Sequence, residues 1–222
     1  MDTLLDTVTT AGLADRIFNE RQLDDILGGS NARRYGLVNR ALKDGSLLRL
    51  KRGRYLLGTR YRSEPVHPFV VSQALVPGSY ISFETALAYH GWIPEAVFTT
   101  SSVSPGRKTV SYDVPSLGGF SFHPLAVQHY RFLAGVNRAK FGGLTSLVAG
   151  PLRALMDLVA LRKERWSGLA WVFEGMRIEE TQLRSLHHKD FAALAQVYKH
   201  RAVIDFQVEL ERAITAMKAA SQ

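Results

Sequence analysis

The 222-residue sequence predicts an α+β fold, and three observations predict it. Ser30–Leu57 reads as a helix followed by two short apolar segments joined by a basic turn. Residues 97–124 alternate apolar and polar side chains between Gly- and Pro-containing turns. From Pro151 onward, apolar residues recur at helical spacing. The expected organisation is a winged helix-turn-helix over residues 1–62 and a linker over 63–68. A mixed domain follows over 69–222, with a small antiparallel sheet at about 97–124 and a helical part from 151.

In chain order, Leu4, Leu5, Val8 and Leu13 are spaced to face inward from a helix over residues 3–13. Asn19 is the N-cap of a second helix, and Gly28-Gly29 end it. Ser30 and Asn31 can each offer a side-chain oxygen to the free amides of a third helix, which runs to Asp44 and stops at Gly45. At 100° per residue, Tyr35, Val38 and Leu42, flanked by Ala41, form the face expected to pack on the first two helices. Arg33, Gly36, Arg40 and Lys43 then point outward, with Leu37 on the flank and Arg34 near the core edge. Tyr35 and Tyr55 are both expected to face the core. Leu47–Leu50 and Tyr55–Leu57, joined by Lys51-Arg52-Gly53-Arg54, form a hairpin with a basic tip. Two helices, a Gly-containing turn, a third helix and a basic hairpin are the layout of a winged helix, whose natural partner is duplex DNA.

The charge distribution points the same way. Arg33 to Arg62 holds ten basic side chains and one acid, Asp44, a balance of +9. The whole chain carries +8, so the remainder sums to −1. Basicity confined to one short stretch favours a polyanion-binding surface over general basicity. The expected base-facing residues are Arg33, Gly36, Leu37 and Arg40, with Arg34 and Lys43 on phosphates. Arg49, Lys51, Arg52 and Arg54 are assigned to the hairpin, on the backbone or in the minor groove. Such a unit is expected to keep its DNA binding when the chain is cut near Glu64.

After the proline-containing linker, Phe69–Leu75 reads as a short helix, Tyr80-Ile81 as an extended piece, and Ser82 as the cap of a helix Phe83–His90. FTTSSV, KTVSYDV and FSFHPL read as three strands of an antiparallel meander. Residues 125–148 carry no usable pattern. Pro151 starts a helix at the position where its missing N–H costs nothing. Further helices are expected over Glu179–Leu186, Asp190–Lys199 and Val203–Ala219.

Several chemistries lack their residues. There is no cysteine, so disulfides and thiolate chemistry are excluded. The seven histidines show no HExxH spacing, and no metal or other cofactor is expected. No Asp or Glu has lysine two positions on, as the metal-dependent nuclease triplet requires, and there is no phosphate loop or nucleophile elbow. The expectation is a non-enzyme, with an uncharacterised nuclease as the remaining enzymatic alternative. The first residues, with Asp2 and Asp6 and no basic stretch, do not read as a signal peptide, and no apolar run reaches membrane-spanning length. A cytoplasmic location without a membrane partner is expected.

Three segments in order carry a resemblance: RALKDGSLLRLKRGRYLL (Arg40–Leu57), PGSYISFETALAYHGWIPE (Pro77–Glu95) and AGPLRALMDLVAL (Ala149–Leu161). They resemble the AbiEi-type antitoxins of type IV toxin–antitoxin and abortive-infection operons. The second segment is the most specific. The third departs from the family in having Leu152 and Arg153 where glutamate and lysine are common. The resemblance implies a repressor that binds inverted repeats in its own promoter through the winged helix. It also implies a carboxy-terminal domain that antagonises a nucleotidyltransferase-like toxin without a stable complex. An antitoxin that binds its toxin directly is the alternative.

Overall fold

The computed structural model describes residues 4–220. The chain is a mixed α+β protein, and its first part is built from local signals. Helix α1 spans Leu4–Thr10, shorter than expected because Gly12, at φ +69°, turns the chain away. Thr3, the first residue of the expected helix, lies outside the described residues. A two-residue strand, β1 (Phe18–Asn19), leads into α2 (Glu20–Leu27). Asn19 caps α2 reciprocally: its side chain accepts from the Gln22 amide at 2.9 Å, and its own amide donates to the Gln22 side chain at 3.0 Å. Gly28 and Gly29, both at positive φ, make the turn into α3 (Asn31–Lys43), where Ser30 Oγ accepts from the Arg33 amide at 3.3 Å.

Gly45 ends α3, and β2 (Leu47–Lys51) and β3 (Arg54–Leu57) form the expected hairpin. Strand β1 adds to it, Phe18 opposite Tyr55, to give an antiparallel sheet in the order β1-β3-β2. Gly53 closes the hairpin at φ +73°, and a Cβ there would sit 3.4 Å from the Glu20 carboxylate. Its carbonyl accepts from the Glu20 amide, fastening the start of α2 to the hairpin tip.

Alternation along β3 sends neighbouring side chains to opposite faces. Tyr55 and Leu57 join Leu4, Val8, Phe18, Leu23, Ala41 and Leu47 in a core beneath the three helices. Leu56, fully buried, faces the other way with Leu50. These two pack on Val71 and Leu75 of α4 (Pro68–Leu75) and on Val114, Phe120 and Phe122 of the second sheet. The hairpin is therefore sandwiched between both parts of the chain.

The second part holds a six-stranded mixed sheet. Its strands are β4 (Tyr80–Ile81), β5 (Thr99–Ser104), β6 (Val110–Val114), β7 (Gly118–Pro124), β8 (Val136–Phe141) and β9 (Leu144–Ala149), in the order β6-β7-β5-β4-β9-β8. This corrects the expected meander. The chain leaves β5, forms the outer strand β6, and returns as β7 between them, so β5 and β7 run parallel. Alternation identifies strands but not their neighbours. The unpatterned stretch 125–148 holds β8 and all of β9 but its last residue, Ala149. Strand β8 is an outer strand with exposed Asn137, Arg138 and Lys140, so it shows little apolar alternation.

Helices α5 (Phe83–Tyr89) and α6 (Pro151–Arg162) pack together and bury Phe83, Leu87, Leu155 and Met156 against the sheet. A single π turn (Trp171–Gly175) and helices α7 (Glu180–Arg184), α8 (His188–Ala193) and α9 (Arg201–Ala219) complete the layer. Asp190 accepts from the His187 amide at 2.8 Å, so it caps α8 from inside the first turn rather than beginning it. Among the described residues, no helix is long and apolar enough to cross a membrane.

Candidate nucleic-acid interface

A groove of about 640 Å3 lies between α2, α3 and the β2–β3 hairpin. Arg49 and Arg52 line its hairpin wall, Tyr35 and Asn39 its α3 wall, and Glu20 and Asp24 its floor.

The structure brings five of the expected cations to the surface of this unit. Arg33, Arg40 and Lys43 are exposed on α3, and Arg49 and Arg52 on the hairpin. Two of them already touch their own backbone. Arg33 donates to the Leu27 carbonyl at 2.9 Å, and Arg40 Nε to the Gly36 carbonyl at 3.3 Å. Gly36 also faces outward, with nothing within 4 Å of where a Cβ would stand.

Four of the expected contact residues are placed otherwise than expected. Arg34 pairs with Asp24 at 3.0 Å and also donates to the Gly29 carbonyl and the Asn31 side chain. It is consumed in closing the α2–α3 turn. Leu37 packs against the core instead of pointing to a base. Lys51 turns back from the hairpin tip and donates to the Leu75 carbonyl at 2.5 Å. Burial, aided by the neighbouring Arg54, pulls its pKa below the ordinary lysine value. Arg54 is half-buried on the central strand β3, with β1 paired alongside it.

The orientation of α3 explains the differences on the helix. Tyr35 is 73% exposed, so it belongs to the groove and not to the core, whereas Tyr55 is buried as expected. Ala41 is buried, and Leu37 and Val38 pack inward beside it. With Leu42, which also packs on this core, the core face is rotated by roughly 60° from the one that Tyr35, Val38 and Leu42 would define, at 100° per residue. Tyr35 and Asn39 are the exposed groove residues that the periodicity missed. Tyrosine, apolar in body and polar at its tip, gives no signal of which side it takes.

A second cluster of ionisable groups lies in the sheet–helix core of the second part. Arg153 and Asp157, one turn apart on α6, pair at 2.9 Å with both side chains fully buried. The pair is intrahelical, as expected, but it is not a surface pair. Asp157 accepts from four donors: Arg153 Nε and the Tyr198 hydroxyl at 2.8 Å on one oxygen, and Ser82 Oγ at 2.7 Å and the Tyr80 hydroxyl at 3.0 Å on the other. Arg153 further donates to the Ala134 carbonyl at 2.7 Å and to the Tyr80 hydroxyl at 2.6 Å. Ser82 therefore spends its hydroxyl on Asp157 and does not cap α5, correcting its assigned role.

Burial and the Asp157 charge push both phenols well above the ordinary tyrosine pKa. Burial opposes ionisation of Arg153, but Asp157 and the two tyrosines outweigh it and raise its pKa. Every polar group in the cluster is committed to another, which suits a clasp joining β4, α5, α6 and the segment before α9. His90 also ties elements together, with Nε2 2.9 Å from the Ala149 carbonyl. Among the described residues, no three His, Asp or Glu side chains converge to hold a metal ion. No protein-family model matches the chain, and no curated protein matches it significantly.

Proposed function

We propose that residues 1–62 form a winged helix-turn-helix and that the chain is a sequence-specific DNA-binding repressor. In this reading α3 is the recognition helix and β2–β3 the wing. One observation carries it: Arg33, Arg40, Lys43, Arg49 and Arg52 are exposed on one helix–hairpin unit, while the chain outside Arg33–Arg62 sums to −1. Following the resemblance to AbiEi-type antitoxins, the repressor would regulate its own operon and counter a nucleotidyltransferase-like toxin through residues 69–222.

The test is titration of the full chain with the duplex upstream of its own coding sequence and with random duplex. If each of the five cations neutralises one phosphate, log K should fall against log salt with a slope of about −4.5. Salt-insensitive binding, or none, would refute the DNA reading. Co-expression with the product of the adjacent gene tests the antitoxin half, with relief of growth arrest as the expected result.

Direct binding of the toxin is a second reading, favoured by Phe98. Its ring is 90% exposed beside a recess of about 510 Å3 lined by Ile93, Arg162 and Met176. Co-purification with the toxin, lost in Phe98→Ser, would support this reading over action without a complex.

A further inference from the structure

The observed rotation of α3 changes which side chain stands farthest from the core. With Ala41 buried and Leu37, Val38 and Leu42 packed beside it, the opposite pole runs between Gly36 and Lys43, with Ala32 close by. Asn39 and Arg40 lie about 50° to either side of that line. Asn39 is exposed and has no hydrogen-bond or ion-pair partner among the described residues. Toward the helix start it has Gly36 three residues back and the exposed Tyr35 four residues back. Ala32 is small and exposed, and a Cβ at Gly36 would meet nothing within 4 Å. The backbone at Gly36 can thus approach a partner surface closely, with the free carboxamide of Asn39 beside it on the groove side.

A carboxamide presents donors and an acceptor side by side, the pattern that pairs bidentately with N6 and N7 of adenine in the major groove. A guanidinium carries only donors and matches guanine. Arg33 and Arg40 flank the pole and have part of their donor capacity committed to backbone carbonyls, which suits contacts to phosphates.

We propose that Asn39 is a specificity-determining residue, reading an adenine in the major groove, with Gly36 and Ala32 allowing the approach. The proposal rests on the DNA-binding reading. The experiment enriches a randomised duplex pool on the full-length wild type, Asn39→Ala and Asn39→Arg, with circular dichroism melting to verify the fold. The wild type should select an adenine whose replacement weakens binding roughly tenfold or more. Asn39→Ala should become indifferent at that position alone, while still selecting the other bases of the motif. Asn39→Arg should move the preference there to guanine. Identical motifs from all three proteins would overturn the role of Asn39 and leave DNA binding standing. A wild type that binds no duplex would overturn the DNA reading and this proposal with it.

Discussion

The Lys51 ammonium, near the hairpin tip, donates to the main-chain carbonyl of Leu75 at the end of α4. Beside it, Leu50 and Leu56 bury their side chains against α4 and the second sheet. The hairpin is braced from behind, so the presentation of its basic surface depends on residues well outside the first 62.

This bracing revises the expected independence of the amino-terminal part. A fragment ending at Glu64 would expose Leu56, whose burial stabilises by about 1.5–3 kcal/mol, together with Leu50. We expect the fragment to melt well below the full chain and to self-associate. Exchanging both leucines for serine should restore solubility without restoring full stability. A fragment as stable as its counterpart in the full chain would show that the brace contributes nothing.

The contrast between Asn19 and Lys51 shows what the sequence could express. Asn19, Ser30, Gly45 and Gly53 act within a few residues, and cap and turn chemistry is written in that window. The hairpin and most helices were legible for that reason. Lys51 meets its partner 24 positions away, and Tyr198 reaches Asp157 across 41. No periodicity encodes such pairings. Of the candidate surface, charge located the unit, but the rotation of α3 depended on whether Tyr35 lay inside or outside, which its chemistry leaves open.

Breaking the Arg153–Asp157 pair from one side should be costly. Asp157→Ala strands a buried guanidinium, and Arg153→Ala strands a buried carboxylate. Each is expected to lose about 3–5 kcal/mol, read from the urea midpoint. The double change Arg153→Met/Asp157→Leu should lose less than the two singles combined. It will not recover fully, because Ser82 and the two phenols lose their common acceptor. Strictly additive losses would contradict a coupled buried pair.

The same cluster predicts an alkaline limit. Tyr80 and Tyr198 have folded pKa values raised by burial and by Asp157, above an unfolded value of about 10. Above that pH the unfolded chain releases phenolic protons that the folded chain retains, so stability is present below about pH 10 and declines as pH rises beyond it. Phenolate absorbance should show a late step that coincides with loss of structure. In Tyr80→Phe/Tyr198→Phe that step should disappear. Its persistence would assign it to other tyrosines.

Arg52 and Lys51 are sequence neighbours with opposite expected roles, and this separates the DNA surface from the brace. Arg52 is exposed beside the groove, whereas Lys51 is half-buried and occupied by Leu75. Arg49→Ala/Arg52→Ala should leave the melting temperature nearly unchanged, since exposed substitutions are usually within 0.5 kcal/mol. It should also flatten the salt dependence of DNA binding by up to about 1.8 in slope, two phosphates at about 0.9 each. Lys51→Met should keep the full slope, because its ammonium is turned from the solvent face. It should cost stability only to the extent that the Leu75 carbonyl is left without its donor, on the order of 1 kcal/mol. Equal effects of the two variants on the slope would mean that the hairpin meets DNA in a different orientation, with Lys51 released from Leu75 on binding.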